Sequence, residues 1–164
     1  MCEEIVEFYK SWVKNPKLLQ MLMFKQHKSV TTYDHSRNVT NLSILLAEKL
    51  HFSDQSICNI MIGAMLHDYF LYDYHVTSRH LEDGIHAWSH PRVALRNALQ
   101  DFDLNEIQKN IIRSHMWPVT LLHPPKSKEA WIVSLSDKIC ATLEWLRPEH
   151  DYQFSSMFLR QARV

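Results

Sequence analysis

Six side chains able to hold a metal ion follow one another along this sequence in the order His, His-Asp, His, His, Asp. They are His35, His67-Asp68, His90, His115 and Asp137. Imidazole nitrogens and carboxylate oxygens both ligate divalent cations, and a carboxylate offers two oxygens. Asp68, adjacent to His67, is therefore the natural candidate to bridge two ions. Four histidines and two aspartates suffice for two divalent ions, with positions left for water or a substrate. The surroundings support the pattern. His67-Asp68 closes the apolar run Ile60-Met61-Ile62-Gly63-Ala64-Met65-Leu66, where a carboxylate without a partner or a metal is costly. On a 3.6-residue period Asp137 shares its side with Val133, Ser134, Cys140 and Ala141. That face is apolar or small, so Asp137 is expected to point inward and to need a cation.

The elements that must position these groups read as helices. Ile5, Val6, Tyr9 and Trp12-Val13 give helical spacing over residues 2–14, stopped by Asn15-Pro16, and a short helix is expected over 17–27. Tyr33 to Leu50 is amphipathic, with Val39, Leu42, Leu45-Leu46 and Leu50 as its stripe and His35 in its first turn. Ser53 is a good N-cap for the helix that ends at His67, and Gly63 and Ala64 let a neighbour approach closely just before it. Periodicity weakens from Tyr69 to Ser89, so an irregular segment is expected over the site. Pro91 suits the first turn of a helix reaching about Leu99. Further helices are expected from about Asn105 to His115 and from about 127 to 146, the latter carrying Ile132, Leu135, Ile139, Leu143 and Leu146. A loop containing Trp117-Pro118 and His123-Pro124-Pro125 separates them, and a peripheral helix is expected over 150–162. The fold class is all-α: one helical bundle over residues 1–164, its motif-bearing core about 30–145.

Composition fits that picture. The 164 residues are 46% hydrophobic and include only two glycines, Gly63 and Gly84, too few for a hairpin-rich sheet protein. Lys plus Arg and Asp plus Glu are 18 each, so no basic stripe points to a nucleic-acid polymer. Cys2, Cys58 and Cys140 are odd in number and widely spaced, as reduced thiols are. The acidic N-terminus is no signal peptide, and no apolar run approaches the roughly 18 residues that cross a bilayer. A cytoplasmic location and no membrane partner are the expectations. Oligomeric state leaves no trace here.

The ordered set His35, His67-Asp68, His90, His115 and Asp137, with Asp34-His35-Ser36-Arg37 at a helix start and Ser136-Asp137-Lys138 in a late helix, resembles the HD-domain superfamily of metal-dependent phosphohydrolases. The resemblance implies a metal-activated water acting on a nucleotide or another small phosphate ester. His35, His67, Asp68 and Asp137 match the shared four-ligand motif, and His90 and His115 match the pair added in two-metal members. Two divalent ions are implied, iron or manganese first, with magnesium, zinc, cobalt or nickel as other candidates. Phosphate oxygens call for fixed cations, and Arg37, Arg92, Arg113 and Lys138 each lie within a few residues of a ligand. Lys138 and Arg37 follow a ligand most closely and join Asp68 as the expected catalytic groups.

His27 and His86 have weaker claims as supporting or substrate contacts. His51, His75, His80, His123 and His150 have no motif support, and Tyr33 and Trp117, beside ligands, are placed to wall a pocket. After His67-Asp68 comes Tyr69-Phe70-Leu71, with no Gly-Lys, and Gly-Tyr-Pro is missing throughout, unlike the cyclic-dinucleotide phosphodiesterases. The pattern is closer to the small six-ligand bacterial HD proteins, including the di-iron dinucleoside-tetraphosphate hydrolases. A similar ligand set serves HD-type mixed-valent di-iron oxygenases, and a regulatory domain using the metal structurally is a third possibility. Ligand spacing does not separate hydrolase from oxygenase, but the intact ligand set favours an enzyme over the regulatory domain, which has no need to retain every ligand.

Overall fold

Among the described residues seven helices follow one another: Glu3–Trp12 (α1), Pro16–Leu19 (α2), Thr32–Lys49 (α3), Asp54–Leu66 (α4), His86–Asp101 (α5), Glu106–Ser114 (α6) and Lys128–Leu146 (α7). A 3-10 turn, Gln20–Met23, follows α2, and two short strands, Lys25–His27 (β1) and Val30–Thr31 (β2), precede α3. The computed structural model describes residues 3–27, 30–74 and 85–146. The helix expected over 150–162, His75, His80 and His150, and the side chain of His27 lie outside them. The architecture is all-α, as expected. No helix among the described residues is long and apolar enough to cross a membrane.

The helix starts are chemically marked. The Thr31 side chain accepts from the Asp34 backbone N–H at the head of α3, and the Ser53 side chain from that of Ser56 at the head of α4. At the head of α6, Asn105 and Gln108 form a reciprocal capping box, both bonds 3.0 Å. At its far end α3 closes without a glycine. His51 takes a left-handed φ of 55°, so that its N–H and that of Phe52 reach back to the carbonyls of Glu48 and Ala47.

Helices α3, α4, α6 and α7 pack on one another, and α5 lies against α6. Helix α4 links two apolar clusters. Ile57, Ile60, Met61 and Ala64 pack with Val39 and Ile44 of α3, Ile111 of α6, and Val133 and Cys140 of α7. Met65 and Leu66 pack with Leu18, Met21, Tyr33, Ala94, Ala98 and Ile112. Each fully buried aliphatic side chain contributes roughly 1.5–3 kcal/mol, so this sequence-central helix is also the energetic centre. The close approach expected at Gly63 is present. A Cβ built there would lie 2.8 Å from the Ile111 side chain of α6.

Three expectations need correction. Residues 17–27 do not form one helix. After Leu19 the chain tightens, turns extended at Phe24 and enters the antiparallel pair β1–β2, with Lys25 opposite Thr31 and His27 opposite Val30. Of the apolar residues there only Leu18 and Met21 are buried, whereas Leu19, Leu22 and Met23 face solvent; that is too little apolar stripe to hold a longer helix. Helix α5 begins at His86, so Pro91 lies inside it rather than in its first turn. The bond lost at Pro91 is outweighed by the burial of His90, Val93, Ala94 and Ala98 on the face toward the bundle. Leu50, Leu135 and Leu146 are exposed rather than packed, at 61%, 54% and 60%. In α7 the inward face is the one bearing Val133, Asp137 and Cys140, with Leu135 turned away.

Candidate metal centre

Two of the candidate ligands close their own helices. His67 and His115 occupy the positions just after α4 and α6 with helical backbone angles, φ and ψ of −60° and −32° and of −58° and −32°. The last carbonyls of a helix lack intrahelical partners. Each ring supplies one: Nδ1–H of His67 donates to the Ala64 carbonyl at 2.7 Å, and Nδ1–H of His115 to the Ile112 carbonyl at 2.8 Å. His90, inside α5, donates Nδ1–H to the His86 carbonyl at 2.9 Å. His35, in the first turn of α3, donates Nδ1–H to Glu144 Oε2 at 2.8 Å. In this assignment all four imidazoles have their Nδ1 proton occupied by an oxygen, which leaves Nε2 as a lone pair.

Those four Nε2 atoms converge on Asp68. Its Oδ2 lies 3.5 Å from His67 Nε2 and 3.9 Å from His35 Nε2, and its Oδ1 lies 3.3 Å from His90 Nε2 and 3.5 Å from His115 Nε2. Asp137 enters from α7, its Oδ1 3.1 Å from His35 Nε2 and 3.7 Å from His67 Nε2. All six side chains are buried. Two groups of donors emerge, His35, His67 and Asp68 on one side and Asp68, His90 and His115 on the other, with Asp68 common to both. The structure thus brings together every one of the six side chains singled out by spacing.

The donor set fits cations. His67 Nε2 and Asp68 Oδ1 are buried without any hydrogen-bond partner among the described residues, a cost that a metal ion removes. His90 Nε2 and His115 Nε2 face each other at 2.8 Å. With both Nδ1 atoms protonated, two lone pairs point at one another, and a shared cation resolves the repulsion. Two donors each about 2.0–2.2 Å from one ion lie at most about 4.4 Å apart, and the 2.8, 3.3 and 3.5 Å separations among His90, His115 and Asp68 comply.

Protonation preferences divide the cluster. Burial alone would lower the His35 pKa, but Asp137 and Glu144 outweigh it and hold the ring well above the ordinary imidazole value. His67 is also raised, because the charges of Asp68 and Asp137 exceed the effect of burial. On the other side burial pushes His115 down to about 3, helped by His67 and His90, and it also lowers His90. Burial would raise the two aspartates, yet the surrounding imidazoles hold Asp68 and Asp137 below the usual carboxylate range. The protein favours positive charge beside Asp137 and rejects protons at His90 and His115.

Supporting contacts complete the centre, and of the residues that make them only His86 was expected from the sequence. Glu144 is buried and held by Asn38, whose Nδ2 donates to Oε1 at 3.1 Å. Glu144 lies seven residues beyond Asp137, two helical turns on the same face of α7, and that spacing was the available signal. Gln26 of β1 donates from Nε2 to Asp68 Oδ2 at 2.7 Å, while the Tyr74 hydroxyl donates to the Gln26 carbonyl. The hairpin is what brings Gln26 there, and no motif announces it. His86 stacks between Tyr74 and His90, with ring centroids 4.2 and 4.7 Å away, and its Nδ1 meets the Tyr72 hydroxyl at 2.7 Å.

The flanking cations divide. Lys138 Nζ donates to the His115 carbonyl at 2.6 Å and lies 3.5 Å from Asp137 Oδ2, at the edge of the centre. Arg37 is turned elsewhere: two residues beyond His35, and so about 200° around α3, its charge acts on Tyr33 and Tyr9. Arg92 and Arg113 are exposed and line a groove between α5, α6 and the following loop. Tyr33 is a core residue that donates to the Val13 carbonyl, and Trp117 packs edge-on against Trp131.

Comparison with protein families finds one model, described as HD domain, that matches residues 32–142. Comparison with curated proteins finds no match, and neither does comparison with solved structures. The matched span runs from the first residue of α3 into α7 and contains all six converging side chains.

Proposed function

The chain belongs to the HD-domain family, and from that premise we propose that it hydrolyses a small phosphate ester, a nucleotide being the favoured class, with two divalent ions held by His35, His67, Asp68, His90, His115 and Asp137. Most HD domains are metal-dependent hydrolases, and the cluster of histidines and aspartates can hold metal. The observation that carries the two-ion reading is Asp68, whose Oδ2 faces His35 and His67 while Oδ1 faces His90 and His115. When bound, such ions supply Lewis acidity toward a phosphoryl oxygen and acidify a water. Iron or manganese suits a site of four imidazoles and two carboxylates.

The rest is done by the chain. Glu144 and the carbonyls of Ala64, His86 and Ile112 fix the four rings so that Nε2 faces the centre. Gln26 holds Asp68 in orientation. Lys138 ties the end of α6 to Asp137 and leaves a cation at the rim for a phosphate oxygen. Ser36 and Ser136 are buried, with hydroxyls that have no partner among the described residues. Neither has a base, so water is the nucleophile in this reading.

Anaerobically purified protein loaded with Mn²⁺ or Fe²⁺ should release phosphate or a mononucleotide from a panel of nucleotides. Chelation should abolish turnover, and one ¹⁸O atom from labelled water should appear on the phosphoryl product. Stoichiometric dioxygen consumption with a mixed-valent iron signal, and no hydrolysis of any ester, would overturn the reading in favour of oxygenase chemistry.

A further inference from the structure

A two-lobed groove lies on the outer side of α5 and α6, away from the metal centre. One lobe, about 280 Å³, is bounded by Trp88, Arg92, Arg113 and Thr120; the other, about 510 Å³, by Lys109, Arg113, Lys126 and Glu106. Arg113 and His123 line both, so the lobes adjoin. We propose that this groove is a second ligand site, for a phosphorylated molecule carrying a flat ring, such as a nucleoside diphosphate. The inference does not depend on the reaction proposed above.

Four observations lead there. First, charge is uneven. The chain as a whole has formal charge zero, yet among the described residues the groove is lined by two arginines and two lysines against one carboxylate, Glu106, which already pairs with Lys109 at 2.8 Å. Second, Lys109 and Arg113 stand four residues apart on α6, where like charges disfavour the helix. An anion between them would turn that cost into binding. Third, Thr120 lines the smaller lobe, and its hydroxyl is a buried polar group without a hydrogen-bond partner among the described residues, a cost that a phosphate oxygen reached by rotation of this side chain would remove. Fourth, Trp88 lines the same lobe at 64% exposure, a flat apolar surface beside two guanidiniums. Both lobes fall near or within the size range of small-molecule sites, whereas a polymer would favour a longer, open basic stripe.

The geometry also excludes this groove as part of the metal centre. Arg92 and Arg113 lie two residues from His90 and His115, about 200° around their helices from the inward-facing rings. Arginines adjacent to ligands in sequence therefore serve a separate surface.

The test is ADP binding read by tryptophan fluorescence in manganese-loaded protein and again after chelation, which separates binding in the groove from binding at the metal centre, with tripolyphosphate as the ring-free probe. Wild type should bind ADP more tightly than tripolyphosphate. Arg113→Gln combined with Lys126→Gln should weaken both at least tenfold, since charge-assisted hydrogen bonds are lost, while metal content and helical circular dichroism stay unchanged. Trp88→Ala should remove the preference for ADP over tripolyphosphate. ADP binding undiminished in the Arg113→Gln/Lys126→Gln variant would place the nucleotide elsewhere and overturn the proposal, as would no binding to wild type at millimolar ADP. Hydrolysis is not read, so failure here leaves the proposed reaction untouched, and loss of that reaction leaves this binding intact.

Discussion

The two sides of the metal centre are built from the same part in different company. On each, imidazoles donate Nδ1–H to an oxygen and present Nε2 to Asp68. The side of His35 and His67 adds the carboxylate of Asp137, with Glu144 behind His35. The side of His90 and His115 has backbone carbonyls alone behind its rings. At His35 and His67 the neighbouring carboxylates outweigh burial and raise the rings, whereas at His90 and His115 burial prevails over the charge of Asp68 and lowers them. The lesson is that two chemically similar donor sets can differ in strength through charge alone. In this reading the ion beside Asp137 is the tightly held one and the ion between His90 and His115 the exchangeable one.

Asp68→Ala should have the largest effect, because it breaks both sides at once. Metal content by elemental analysis should fall on both sides and turnover should vanish, with helical content retained; full metal loading with full turnover would refute the shared role. Asp137→Asn and His115→Ala should then separate the sides. Each should leave about one ion per chain, with the survivor of His115→Ala resisting a chelator longer than the survivor of Asp137→Asn. Equal resistance would remove the distinction. Glu144→Gln sharpens it further. The amide still reaches His35 but removes a charge, so affinity for the tighter ion should drop roughly 10–100-fold, while the other ion, titrated separately, is unaffected.

Two smaller predictions concern the scaffold that holds the two sides in register. Gly63→Ala should destabilise the fold by about 1–3 kcal/mol in chemical denaturation, because its Cβ would meet Ile111 at 2.8 Å just before His67. No loss would mean that α4 and α6 can part without penalty. His51→Gly should raise stability by up to about 1 kcal/mol by relieving the left-handed backbone at the end of α3, with metal content unaltered. A destabilised His51→Gly would show that the His51 side chain contributes packing that the backbone argument omits.

Much of this was legible in the sequence for physical reasons. Ligands at helix ends leave a double trace, an apolar run that stops and a polar residue at the stop, and His67-Asp68 and Ser114-His115 both carry it. Asp137 was readable because three neighbours at helical spacing are buried with it. Ser53 and Asn105 mark helix starts through side chains that cap locally. What was hidden depended on long-range contact. Gln26 reaches Asp68 only because a hairpin forms across a stretch with no strand pattern, and Glu144 reaches His35 across 109 positions of chain. Pro91 misplaced the start of α5 because burial of His90 and its neighbours overrides the usual cost of an internal proline. The cations misled most. Proximity in sequence put Arg37, Arg92 and Arg113 beside ligands, but on a helix two residues' separation points a side chain nearly the opposite way.

Anomalous diffraction at the manganese edge, from crystals of the metal-loaded protein, would test the shared role of Asp68 most directly. Two peaks are expected, one contacted by His35, His67 and Asp137 and the other by His90 and His115, with one oxygen of Asp68 on each. The peak beside Asp137 should keep the higher occupancy as the manganese concentration is lowered. A single peak, or two peaks of which only one touches Asp68, would contradict it.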